Sequence, residues 1–214
     1  MIELVIFDCD GVLVDSEPIA ATVSQSVLAD FGWLLSIDEI VERFLGSATG
    51  TFDRQLEEHL GRALEPGWNQ QYSSWYSDAF ERELKPIAGI EPVLARLKLP
   101  FCVASNSSHE RIRRMLDQVE LFHYFDGAAF SAEDVLHGKP APDLFLHAAA
   151  TLGVDPAHCL VVEDSRFGVA AARRAGMEVL AYAGGLSRAQ WLEGPNTTIF
   201  ESMGELPALI ADRT

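Results

Sequence analysis

The residues best placed to do chemistry come early. An apolar run, Leu4-Val5-Ile6-Phe7, ends abruptly in Asp8-Cys9-Asp10-Gly11-Val12-Leu13. A short apolar run of this kind suits a fully buried strand. Residues i and i+2 of a strand point the same way, so Asp8 and Asp10 project together at its C-terminal end while Cys9 turns into packing. Open α/β sheets hold their active sites at that end. Two carboxylates this close repel, and without a cation one of them tends to keep its proton. The pair reads as a hard-metal site, an acid/base pair or both. The plainer alternative is a solvated turn after a strand.

Other strand-like runs end in polar groups too. Residues 100–105 finish in Ser105-Asn106-Ser107-Ser108, offering hydroxyls and backbone N–H groups at a helix start. Residues 159–163 finish in Glu163-Asp164-Ser165, more acid than an N-cap needs. Between them, Gly138-Lys139-Pro140-Ala141-Pro142-Asp143 carries a lone lysine in a loop stiffened by two prolines, which makes it a candidate positioned charge.

The elements that must position these groups follow from pattern. Strands are expected at 2–8, 100–105, 159–163 and 178–182, with weaker signals at 126–130 and 197–200. Helical patterns fall at 90–98, 108–118, 142–152, 166–175 and 203–211. Strand alternating with helix predicts an α/β fold, a Rossmann-like parallel sheet. Ser107 and Glu110 predict a capping box, and Gly153 and Gly176 sit where helices should end. Residues 17–84 break the rhythm with helical stretches near 18–31, 37–44, 50–60 and 69–83. Ser36 and Glu39 suggest another capping box there, and Trp68, Tyr72, Trp75, Tyr76 and Phe80 fall at helical spacing as a small core. The expected organisation is a discontinuous core, 1–16 with 85–214, and an inserted all-helical cap, 17–84. A cap inserted there excludes water and selects the substrate.

Composition narrows the class. The chain of 214 residues is 48% hydrophobic, as ordinary globular proteins are. No apolar run approaches the roughly 20 residues of a membrane span. The start, Met1-Ile2-Glu3, has no basic flank or cleavage site, so a cytoplasmic protein is expected. Cys9, Cys102 and Cys159 lie in or beside apolar runs, as buried small hydrophobes do. A net charge of −16 disfavours nucleic acid and anionic membranes as partners. An anionic substrate would need a local positive site from a metal, a few Lys or Arg residues, or helix N-termini. A monomer is the expected state.

Taken in order, Asp8-x-Asp10-Gly11, Ser105-Asn106, Lys139 within GKPAPD and Glu163-Asp164 resemble the four motifs of haloacid dehalogenase-like phosphatases with a helical cap. Within that family the chain is most similar to the branch acting on sugar phosphates and phosphosugar acids, 6-phosphogluconate phosphatases among them. The resemblance implies a Mg²⁺-dependent phosphatase of small phosphate esters. Asp8 would be the nucleophile, forming an aspartyl-phosphate, and Asp10 would pass a proton to the leaving alkoxide and take one from water. Mg²⁺ would be held by the Asp8 side chain, the Asp10 carbonyl and Asp164, with Glu163 adding a direct or water-mediated contact. Ser105, Lys139 and the N–H groups of Gly11 and Asn106 would hold the phosphate. Glu17, Gly46, Ser47 and Thr49 are the substrate-contact candidates. A sugar phosphomutase is the rival, but Ala20 stands near the place of the mutase histidine, and Gly46-Ser47-Ala48-Thr49-Gly50 has no cation for a second phosphate. A non-catalytic binding protein would be expected to have lost one of Asp8, Asp10, Lys139 or Asp164.

Overall fold

Six short runs rich in Val, Leu, Ile and Phe form one parallel sheet: β1 (Leu4–Phe7), β2 (Phe101–Ser105), β3 (Ala129–Ser131), β4 (Cys159–Glu163), β5 (Glu178–Tyr182) and β6 (Thr197–Phe200). The strand order is β3-β2-β1-β4-β5-β6. The order reverses direction between β1 and β4, the switch point at which ligands of such sheets bind. All six expected strands are present. The computed structural model describes residues 1–45 and 50–214. It divides into two units, Met1–Asp15 with Lys85–Thr214, and Ser16–Leu84.

The unit Ser16–Leu84 is helical among its described residues: α1 (Glu17–Asp30), α2 (Ile37–Phe44), α3 (Thr51–Leu60) and α4 (Ser73–Glu83). Ser36 and Glu39 make the anticipated capping box at α2, each side chain accepting from the other's backbone N–H. The stretch expected at 69–83 splits into a 3-10 helix, Trp68–Tyr72, and α4. The aromatic series serves as core in part: Tyr72 and Phe80 are buried, while Trp75 is 41% exposed. Phe31 meets Trp68 edge-on at 5.5 Å, and Phe52 stacks parallel to Trp68 at 6.1 Å.

Around the sheet lie α5 (Ile90–Leu94), α6 (His109–Gln118), α7 (Asp143–Thr151), α8 (Arg166–Arg174), α9 (Ala189–Leu192) and α10 (Leu206–Ala211). Leu4, Ile6, Cys102, Ala104, Cys159, Val161, Val179 and Ala181 face one side and pack against Leu144, Phe145, Ala148, Val169 and Ala172. The intervening strand residues Val5, Phe7, Val103, Leu160, Val162 and Leu180 are buried on the other side, as alternation requires. There Phe7, Phe101 and Phe125 form an edge-to-face trio. The three cysteines are buried and unbridged. Gly153 and Gly176 follow the C-caps of α7 and α8 with φ of +72° and +77°. No helix among the described residues is long and apolar enough to cross a membrane.

Candidate active site

The strand faces dictate what meets at the sheet's C-terminal edge. Asp8 continues the parity of Leu4 and Ile6, and Glu163 that of Cys159 and Val161, so both carboxylates emerge above the same apolar face. The Asp8 N–H donates to the Val162 carbonyl at 2.9 Å, extending the β1–β4 ladder by one step and fixing the register of the two acids. Lys139 reaches the same point. Its Nζ donates to Asp8 Oδ1 at 2.5 Å and to Glu163 Oε1 at 2.9 Å, and stands 4.7 Å from the centroid of the Phe145 ring. A cation over an aromatic face is favourable, more so away from water. The side chains of Lys139, Asp8 and Glu163 are only 4%, 11% and 1% exposed.

Burial sets the electrostatics. It pushes the Asp8 carboxyl up to about 7, with the Lys139 ion pair opposing the rise and Glu163 and Asp10 adding to it. Burial also works against the Lys139 ammonium, but Asp8 and then Glu163 outweigh it and hold the proton more firmly than usual. One ammonium serves several buried carboxylates, and the pocket carries excess negative charge. Oxygens of Asp8, Glu163 and Asp164 lie within 4.8 Å of one another, all three residues buried. An all-oxygen carboxylate set of this size suits a hard divalent cation such as Mg²⁺. Asp164 also explains Gly11: a Cβ there would lie 2.2 Å from Asp164 Oδ2, and the backbone has φ of +80°.

Asp10 lives in a different environment from Asp8. Its side chain is 29% exposed, with Ser107 Oγ donating to Oδ2 at 3.2 Å and Arg111 Nη2 donating to Oδ1 at 3.4 Å. The two aspartates, one residue apart in sequence, therefore have separate partners: a buried ammonium for Asp8, a hydroxyl and a guanidinium for Asp10. Pairs of acids in contrasting surroundings are suited to separate roles.

Several expected residues have partners within the chain. The Gly11 N–H donates to the Val14 carbonyl at 2.9 Å, so the loop itself takes this amide and Gly11 contributes chiefly by lacking a side chain. Asn106 clamps the lysine loop: its Nδ2 donates to the Lys139 carbonyl at 3.0 Å and its Oδ1 accepts the Lys139 N–H at 2.8 Å. Ser105 is buried, with its Oγ accepting the Ser107 N–H at 3.1 Å. The Ser107–Glu110 capping box does not form. Ser108 caps α6 instead, accepting the Arg111 N–H, and Glu133 accepts the His109 N–H. The Ser107 hydroxyl is given to Asp10, where a carboxylate is the stronger acceptor. Glu17 opens α1 in the helical unit and is half-buried. Gly46, Ser47 and Thr49 fall outside the described residues.

Sequence reasoning missed Ser131, Arg111 and Gly168. Ser131 is fully buried, and its Oγ donates to the Ser107 carbonyl at 2.7 Å. Gly168 lies in the first turn of α8, where a Cβ would fall 1.6 Å from Glu163 Oε1. Glu163 is folded over that turn, its Oε2 accepting the Ser165 N–H at 2.6 Å. Gly168→Ala must evict the carboxylate from Lys139. Turnover is expected to fall at least ~10-fold with a change in Tm of only a few degrees. Kinetics and a thermal melt on the purified variant check it.

Residues 2–176 match the sequence model of haloacid dehalogenase-like hydrolases. The chain is 32% identical over 209 residues to the 6-phosphogluconate phosphatase of Escherichia coli K12, covering 97% of this chain and 94% of that protein. A conserved haloacid dehalogenase-like protein of Agrobacterium tumefaciens C58 superposes with a TM-score of 0.90 at 40% identity, over 99% of each chain. A family hydrolase from Deinococcus radiodurans R1, solved with phosphate and sodium bound, superposes with a TM-score of 0.83 at 32% identity, over 99% of this chain and 96% of that one. The chain belongs to the haloacid dehalogenase-like hydrolase family.

Proposed function

We propose that this enzyme, a hydrolase of phosphoric monoesters, acts on a small phosphorylated metabolite, a sugar phosphate or phosphosugar acid, through a covalent intermediate on Asp8. The observation that carries the reading is the buried Asp8–Lys139–Glu163 cluster, with Asp164 beside it, at the switch point of the sheet. The relative from Escherichia coli supports the substrate class by its name, and the phosphate in the Deinococcus structure supports the ligand.

The chemistry follows from the chain's own groups. An oxygen of Asp8 attacks phosphorus, and the bond from phosphorus to the ester oxygen breaks as Asp10 hands that oxygen a proton. Water then attacks the phosphoryl group, Asp10 takes its proton back, and phosphate leaves with Asp8 restored. Lys139 neutralises charge at the nucleophile, and the Ser105 hydroxyl is available to a non-bridging oxygen. Asn106 keeps Lys139 in reach by holding its backbone at both ends. Asp8, Glu163 and Asp164, with the Asp10 carbonyl, would hold Mg²⁺. The metal supplies charge neutralisation that a dianionic substrate needs among so many carboxylates. The helical unit would act as the cap, with Glu17, Gly46, Ser47 and Thr49 as its substrate-contact candidates.

Metal removal is the first test. Phosphate release would be measured from sugar phosphates, 6-phosphogluconate, nucleoside monophosphates and p-nitrophenyl phosphate, with Mg²⁺ and with EDTA. Release at least ~100-fold faster with Mg²⁺ is expected, and the best substrate then identifies the class. Equal rates in EDTA would remove the metal from the reaction, and no release from any ester would overturn the phosphatase reading.

A further inference from the structure

Asp10 is held at both of its oxygens by residues outside the family motifs recognised in the sequence. Ser107 Oγ donates to Oδ2 and Arg111 Nη2 donates to Oδ1. Neither holder is free to wander. The Ser107 N–H is bound to Ser105 Oγ at 3.1 Å, and its carbonyl accepts from the buried Ser131 hydroxyl at 2.7 Å. Arg111 stands in the first turn of α6, its backbone N–H capped by Ser108 Oγ at 3.3 Å. The tips of β2 and β3 thus brace Ser107, α6 carries Arg111, and both bear on a side chain in the loop after β1.

We propose that Ser107 and Arg111 are positioning residues for proton transfer by Asp10, a two-point clamp that fixes its carboxyl toward the leaving oxygen. This rests on the reading of Asp10 as the proton donor in phosphate-ester hydrolysis. The clamp leaves that role open, because each carboxyl oxygen has a second lone-pair direction for the travelling proton. An aspartate on a loop otherwise samples several staggered rotamers, and only some aim at the ester oxygen. Misplacing a reacting group by about 1 Å costs on the order of 10²-fold in rate.

The leaving group separates this role from others. An alkoxide leaves badly without a proton, whereas p-nitrophenolate leaves well without one. A residue that positions the acid should therefore slow the first step, phosphorylation of Asp8, for alkyl phosphates and hardly at all for p-nitrophenyl phosphate, while the later water attack, which also uses Asp10, slows equally for both. A phosphate-binding residue would affect half-saturation for both, and a structural one would slow the first step for both.

The experiment measures the first-turnover rate of leaving-group release, by rapid quench, and the ester concentration that half-saturates it, for Ser107→Ala, Arg111→Ala and Arg111→Lys, using p-nitrophenyl phosphate and the fastest alkyl phosphate of the panel, with Mg²⁺. Ser108 is the helix cap, so Ser107→Ala leaves α6 capped and guards against misfolding of the arginine variant. The expected result is a ~10–100-fold fall in the first-turnover rate for the alkyl ester in both alanine variants, with the aryl ester within about 3-fold of wild type and the half-saturating concentrations steady. Arg111→Lys should recover part of the loss. Equal losses of first-turnover rate on the two esters, or a change confined to the half-saturating concentration, would overturn the clamp. The wild-type aryl rate, and its loss in Asp8→Asn, reports separately on the phosphatase reading.

Discussion

Asp8→Asn is expected to lower kcat by on the order of 10⁴-fold or more for every ester, because the amide keeps the shape of the side chain and removes the anionic nucleophile. The same change should stabilise the metal-free protein. The folded-state pKa of Asp8 lies near 7, raised by burial from the ordinary carboxylate value. A group raised in this way contributes stability while it is protonated, and loses it as pH climbs through the folded value. Asparagine never bears that charge. In EDTA, the Tm of the variant should exceed that of the wild type by an amount that widens from about pH 4 to about pH 7 and then levels off. A variant less stable than wild type across this range would mean that the Lys139 ion pair outweighs the burial cost. In the expected outcome, a more stable but inactive variant, stability and activity trade against each other at one side chain, as they commonly do in active sites.

Lys139→Met is the second large effect. It keeps the length of a side chain that is 4% exposed and packs over Phe145, and it removes the one cation bonded to both Asp8 and Glu163. Breaking a buried ion pair from one side leaves its partners uncompensated, at a cost of about 3 kcal/mol or more. The Tm in EDTA should drop accordingly, and Mg²⁺ should raise it by more than it raises the wild type. Activity should fall ~10³-fold and stay low in Mg²⁺, since the ammonium that steadies the nucleophile is missing. Near-normal turnover would show that Lys139 is a structural counter-ion alone. Titrating Mg²⁺ into the variant while following both Tm and phosphate release makes the distinction.

The parts of this site that lie along one strand are legible in the sequence. Asp8 and Glu163 each end an apolar run, and period-two alternation alone puts them above a packed face. Lys139 was singled out by its setting between glycine and prolines. What the sequence did not show depends on which strands are neighbours. Ser107 reaches Asp10, and Ser131 reaches Ser107, only because β2 lies between β1 and β3; nothing in the local pattern encodes that order. The helix cap falls one residue later than expected for the same reason: Glu110 makes Ser107 the better local candidate, but the Asp10 carboxylate, from another loop, takes its hydroxyl and leaves Ser108 to cap α6. Gly168 carried no visible signal, since a glycine in a first helical turn reads as a weak helix former until Glu163 is seen lying across it. Short elements were also hard to read. The four-residue α9 has too few positions to show a period, and the stretches at 69–83 and 203–211 each broke into a 3-10 turn and a helix.

The central claim is a phosphoryl group on Asp8, and Asp10→Asn is the variant in which to look for it. With p-nitrophenyl phosphate the first step needs no proton from residue 10, whereas water attack in the second step does need a base. The phosphorylated enzyme should therefore accumulate. Acid quench within seconds of mixing with Mg²⁺ and this ester, followed by peptide mass spectrometry, is predicted to find one phosphoryl group on the peptide bearing Asp8. The Asp8→Asn, Asp10→Asn double variant should show none. An unmodified peptide from an enzyme that is still releasing p-nitrophenol would mean that water attacks the ester directly, and would contradict the account.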